Sequence, residues 1–161
     1  NSPTVNLSRE AMLTAVLIGS AVMVPTQFYF SGLSDRMGRK KIYRWGAILT
    51  GLWGFALFPL IDTGSLPLIA LGLALGLAFL GMQYGPQAAY FTELFSTEVR
   101  YSGASLGYQI GAIVGGALAP TLAVLLWKEL GIIFVSLYIL LAAVLTLWSL
   151  SALEETSGQP L

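Results

Sequence analysis

Of 161 residues, 56% are hydrophobic and only 10% charged, and the formal net charge is zero. A soluble domain of this length would carry about a quarter charged residues, so water is not the expected solvent. The neutral balance gives no reason to expect nucleic acid. The chain has no cysteine and no histidine, which excludes a disulfide framework, thiolate chemistry, imidazole-built zinc or haem sites and a Ser-His-Asp triad. No metal or other cofactor is expected.

The few charges cluster and divide the chain into five apolar segments, at about 11–30, 45–61, 66–91, 101–127 and 131–153. The last is the cleanest, with 24 uncharged residues between Glu129 and Glu154. Runs of about 18 or more apolar residues are long enough to cross the ~30 Å hydrocarbon core as helices. Lipid offers no hydrogen-bond partner to a backbone amide, and the ten-residue alternation of a barrel is absent. The fold class is therefore all-α: one polytopic transmembrane helical bundle of about five spans, residues 1–161.

Basic residues stay in the cytoplasm. Arg36, Arg39, Lys40, Lys41, Arg44 and Arg100 fall on one side of such a membrane, against Arg9 and Lys128 on the other. This bias places the 31–44 loop, the 93–100 loop and the C-terminus inside and Asn1 outside, in a cell (plasma or inner) membrane. Trp45, Trp127 and Trp148 near the span ends read as interfacial-belt residues; Trp53 fits that role least.

The stretch Ser31-Gly32-Leu33-Ser34-Asp35-Arg36-Met37-Gly38-Arg39-Lys40-Lys41 is, on charge alone, a tight basic turn anchoring two spans. Its order resembles the cytoplasmic loop signature of the major facilitator superfamily, Gly-x-x-x-Asp-Arg-x-Gly-Arg-Lys/Arg-Lys/Arg, with Ser31 in place of the leading glycine. A second stretch, from Glu93 to Arg100, resembles the family's glutamate followed seven residues on by an arginine. The resemblance implies a conformational latch that holds the outward-open state, made here by Asp35, Arg36, Gly38, Arg39, Lys40, Glu93 and Arg100. The alternative is a solvated charged rim. The run Arg100-Tyr101-Ser102-Gly103-Ala104-Ser105-Leu106-Gly107-Tyr108-Gln109 looks like the metabolite:proton symporter group, whose members move organic acids, proline or betaine.

Gly103, Gly107, Gly111 and Gly115 recur every four residues on one helix face, which predicts close packing against a neighbouring span and leaves room for sliding. Gly85-Pro86 is expected to interrupt the third span, because proline removes a ladder hydrogen bond. No ionisable residue sits deep in a span, so a solute would meet polar and aromatic groups. Gln83, Gln87 and Tyr90 share a face by spacing. Gln83, Tyr84, Tyr108 and Gln109 are the candidates for lining a central cavity, at depths of about 15 Å; hydrogen bonding between helices is the alternative role for the glutamines.

The resemblance implies transport of a small organic solute, an organic acid, amino acid or betaine, by alternating access with proton symport. The chain starts at Asn1, not Met, and is expected to be spans eight to twelve of a twelve-span protein. Its partners would be the solute, H+, the lipid bilayer and the missing N-terminal helices, without which it would not transport. Two other readings stay open. One is a stand-alone five-span interaction or regulatory protein. The other is a membrane enzyme using Asp35, Glu93 and Glu98.

Overall fold

The computed structural model describes residues 8–96 and 98–156. The chain start, placed outside by the charge bias, lies beyond them. Helix α1 runs from Arg9 to Met37, α2 from Arg39 to Asp62, and α3 from Leu66 to Glu93. The fourth span is α4 (Arg100–Gly111), a π-helical segment (Ala112–Ala117) and α5 (Leu118–Glu129) in succession, and α6 covers Ile132–Ala152. Among the described residues, five helical stretches are thus long and apolar enough to cross a membrane.

The helix limits follow from local chemistry. Ser8 caps α1 by accepting a hydrogen bond from the Ala11 amide at 3.2 Å, and Glu10 in the first turn suits the positive end of the helix dipole. Between α2 and α3, Gly64 takes φ 67° and Thr63 Oγ1 donates to the Leu60 carbonyl at 2.6 Å. Gly131, at φ 99°, ends α5 by donating to the Leu126 and Trp127 carbonyls at 3.0 and 3.2 Å, the usual glycine stop.

Helices occupy all five apolar segments, and all but the last extend beyond them. The 29 residues of α1 reach about 44 Å, well past the hydrocarbon core. The expected basic loop at 31–44 is consequently not a loop. Asp35 and Arg36 belong to the last turns of α1, Arg39 opens α2, and Gly38 alone lies between the two helices.

Helix α3 packs against α1 and α2; α6 packs on the other side of α2, and α5 on α6. Small residues set these contacts, as expected where dispersion and not water exclusion drives association. A Cβ at Gly51 would lie 2.6 Å from the Ala143 Cβ, and one at Gly85 would lie 2.6 Å from the Gln27 carbonyl oxygen. Ser136 donates to the Gly54 carbonyl at 3.2 Å and ties α6 to α2. Among the buried apolar residues are Ala15, Ala47 and Ala143, whereas Phe28, Tyr101 and Trp148 stand out towards the surroundings.

One expectation is corrected here. Helix α3 is continuous through Gly85 and a buried Pro86, where Gly85 packs closely on α1. The interruption falls in the fourth span instead, as the π-helical segment. Of the glycine ladder, Gly103 meets the Phe95 ring, and a Cβ at Gly107, Gly111 or Gly115 would meet no atom of another described element within 4 Å. No residue of α4 or α5 is buried.

Candidate functional site

Where α1 passes into α2, the chain must turn in a single residue. Gly38 does this at φ 105°, a region closed to side chains by the Cβ. The turn puts Asp35 and Arg39 one helical turn apart in sequence and in contact, with Arg39 Nη1 2.7 Å from Asp35 Oδ1. The same guanidinium reaches the end of α3, where its Nε donates to both oxygens of Glu93 at 2.7 and 2.8 Å. Nη1 also donates to Ser34 Oγ at 3.2 Å, and the fully buried Ser34 passes its own proton to the Ser31 carbonyl at 2.7 Å.

The Arg39–Glu93 pair is mostly shielded, at 13% and 16% side-chain exposure, while Asp35 is 59% exposed. Burial pushes the Glu93 carboxyl up, but hydrogen bonds from Arg39 and Thr156 and the charges of Arg39 and Arg100 outweigh it and hold the group below the ordinary carboxylate range. The hydrogen bond to Glu93 raises the Arg39 pKa in turn, against the opposing effect of burial. Both groups are therefore ionised at neutral pH, as a charge-assisted pair.

The last described residues close over this pair. Thr156 Oγ1 donates to Glu93 Oε2 at 2.5 Å. The Glu155 carboxylate accepts from the Arg39 amide at 2.8 Å and from the Lys40 amide at 3.1 Å, where the start of α2 presents unpaired N–H groups. Tyr90, fully buried, donates its hydroxyl to the Glu154 carbonyl at 2.8 Å, and Lys40 Nζ donates to the Leu153 carbonyl.

Of the residues expected in the latch, Asp35, Gly38, Arg39 and Glu93 meet directly. Lys40 is drawn to the tail instead. Arg100 Nε donates to the Phe95 carbonyl at 3.3 Å and acts on Glu93 through its charge. Arg36 is exposed and forms no ion pair among the described residues. Ser34, Glu155 and Thr156 are participants that sequence reasoning missed. The acidic pair Glu154-Glu155 carried a signal, but it read only as the end of the last apolar run.

Deeper along α3 lies an uncharged groove in two adjoining parts of about 450 and 610 Å³. Both are lined by Tyr84, Gln87 and Phe91 of α3 and by Tyr108 of α4. The smaller part adds Gln109 and Ser105. The larger adds Tyr43, Thr146 and the ladder glycines Gly107, Gly111 and Gly115. Three of the four cavity candidates, Tyr84, Tyr108 and Gln109, thus come together. Gln83 lies apart: its side chain turns to α2 and donates to Thr50 Oγ1 at 2.9 Å, the interhelical role open to it. Tyr90 is taken up by the tail. Trp53 is no belt residue, since its Nε1 donates to the Gly72 carbonyl at 2.9 Å and its ring meets Phe79 edge-on at 5.2 Å.

A bundle with a charged clasp at one end and an uncharged groove beside it has close relatives in sequence. The chain is 40% identical over 153 residues to the inner membrane metabolite transport protein YhjE of Escherichia coli, covering 93% of this chain and 34% of that protein. It is 31% identical over 124 residues to the shikimate transporter of Escherichia coli, covering 76% and 28%. A proline/betaine transporter of the same organism is 28% identical over 151 residues, covering 93% and 29%. The chain therefore spans well under half the length of these relatives. No solved structure matches it. The relatives are transport proteins, which ends the membrane-enzyme reading. Residues 3–160 match the Major Facilitator Superfamily, and with the loop signature now seen as the Gly38 turn of a five-helix bundle, the chain belongs to that superfamily as a multi-pass membrane protein.

Proposed function

We propose that the chain forms the C-terminal part of a secondary transporter that moves a small organic solute by alternating access, coupled to proton symport. The observation that carries this reading is the groove formed by Tyr84, Gln87, Tyr108 and Gln109. It holds amide and phenol groups but no ion, and it lies beside a fourth span that no described helix buries. Such a wall fits half of a central cavity whose other half comes from further helices. The names of the relatives point to organic acids, amino acids and betaines as the solute class.

The clasp at Gly38 is the latch of this transporter, on the cytoplasmic side with the C-terminus. Arg39, Glu93 and the tail tie the ends of α1, α2, α3 and α6 together in one state and separate in the other. Proton coupling is assigned to carboxylates on the N-terminal helices, because the spans of this chain carry no Asp, Glu or His between their ends.

Uptake into proteoliposomes tests the proposal. The complete transporter is expected to accumulate labelled shikimate, proline or glycine betaine when an inward proton gradient is imposed, and the 161-residue chain alone is expected to accumulate none. Tyr108→Ala and Gln109→Ala should each lower uptake at least tenfold with normal expression. Unchanged uptake in both variants would remove the groove from the solute path, and uptake by the short chain would overturn its being a part.

A further inference from the structure

Beside the clasp, on the outer face of α2, the first three turns present Lys41, Arg44, Trp45 and Ile48. Their spacing of three, four and seven residues puts all four on a single stripe of the helix. Trp45 is 53% exposed, and Lys41 and Arg44 are exposed with no ion pair among the described residues. With Lys40 and Glu155 they enclose a groove of about 480 Å³. Its one carboxylate already accepts the Arg39 and Lys40 amides, so three cations leave the groove net positive.

The order of chemistry along the stripe is what identifies the occupant. Lys40 and Lys41 stand at the helix end, Arg44 and the indole of Trp45 follow about one turn deeper, and an aliphatic side chain follows another turn on, about 10 Å from Lys41. A phospholipid presents the complementary sequence along the membrane normal: phosphate, glycerol-ester region, acyl chain. Tryptophan favours the middle of these levels, and basic pockets at helix ends favour anionic headgroups. A soluble phosphate would match only the first of the three.

We propose that this groove is a binding site for an anionic membrane phospholipid. Lys41 and Arg44 hold its phosphate, Trp45 packs at the level of its ester groups, and Ile48 lies along the first part of an acyl chain. Arg44 can engage two phosphate oxygens at once through its planar fork. The site depends only on the chain's being in a membrane and is independent of which solute, if any, crosses it.

The test is lipid retention by the purified protein, read by native mass spectrometry and by the shift of its unfolding temperature in detergent. Probes are phosphatidylglycerol, phosphatidylcholine and inorganic phosphate. Phosphatidylglycerol is expected to bind and to raise the unfolding temperature, with phosphatidylcholine at least tenfold weaker and inorganic phosphate without effect. Lys41→Gln with Arg44→Gln should weaken phosphatidylglycerol binding roughly twentyfold. The charge-retaining pair Lys41→Arg with Arg44→Lys should keep most of it, which separates loss of charge from misfolding. Lys128→Gln, at the opposite membrane face, should change nothing. Equal retention of the two lipids, equal weakening by Lys128→Gln, or stabilisation by inorganic phosphate matching that by phosphatidylglycerol would each overturn the proposal.

Discussion

Thr156 donates its hydroxyl to Glu93 Oε2 at 2.5 Å, joining two residues 63 positions apart. That oxygen also accepts from Arg39 Nε at 2.7 Å. One carboxylate therefore fastens the end of α3 both to the start of α2 and to the segment after α6. The clasp is a three-way joint, made by the C-terminal tail as well as by the basic turn.

The two ion pairs of Arg39 should differ widely in weight. Arg39 and Glu93 are largely shielded, whereas Asp35 is 59% exposed. Removing one partner of a shielded pair leaves the other poorly solvated and costs about 3 kcal/mol, while an exposed pair contributes about 1 kcal/mol or less. Arg39→Gln should accordingly lower the unfolding temperature in detergent several times more than Asp35→Asn. Equal shifts in the two variants would mean that the guanidinium is held chiefly by Asp35.

Gly38 is constrained twice, by its φ of 105° and by Glu155, whose Oε2 would lie 2.7 Å from an added Cβ. Gly38→Ala should cost about 2 kcal/mol from backbone strain and displacement of the carboxylate. Glu155→Ala should cost about 1 kcal/mol, as the loss of a helix N-terminal cap. Since the two residues touch, the double variant is expected to lose less than the two single losses combined. Strict additivity would show that the tail does not rest on the turn.

In a chain with so few charges, the clustered ones were bound to mark helix ends, and the two stretches around Gly38 and Glu93 were legible for that reason. Asp35, Arg39 and Glu93 can be joined from the sequence alone. The tail could not. Glu155 meets the Arg39 amide across 116 positions, and such a contact leaves no periodicity to read. Span limits were short by several residues because hydropathy reports the hydrocarbon core, and helices continue beyond it. Spacing alone showed that Gly107 and Gly111 share a face, but not what that face meets. Proline is a poor predictor of a break in a packed bundle, as the unbroken path through Pro86 demonstrates.

Glu93 also sets the acid limit of the clasp. Its folded pKa is held below the ordinary value of 4.5, so its contribution to stability is fully present above about pH 4.5. That contribution declines as pH falls below the ordinary value and is gone once the folded pKa has been passed. Thermal stability should be level from pH 8 to pH 5 and then fall, and Glu93→Gln should flatten the acid limb. A drop between pH 7 and pH 6 that disappears in Glu93→Gln would contradict the assigned direction. Glu93 therefore stays ionised across the physiological range.

Glycines in two helices should respond in opposite ways to the same added methyl group. At Gly51 a Cβ would lie 2.6 Å from the Ala143 Cβ, so Gly51→Ala must push α6 away from α2 and cost about 1–3 kcal/mol. At Gly107 nothing lies within 4 Å of the added atom, and alanine is the better helix former by about 1 kcal/mol. Gly107→Ala should leave the unfolding temperature of the chain unchanged or raised. Gly107 nevertheless lines the larger groove, so the methyl group takes up part of that space, and uptake by the complete protein is expected to fall if the groove is the solute path. Comparing the unfolding temperature of Gly107→Ala in the short chain and in the complete protein then separates two roles for the ladder. Destabilisation in the complete protein alone would place the ladder against another helix; equal stability with reduced uptake would leave it facing the solute.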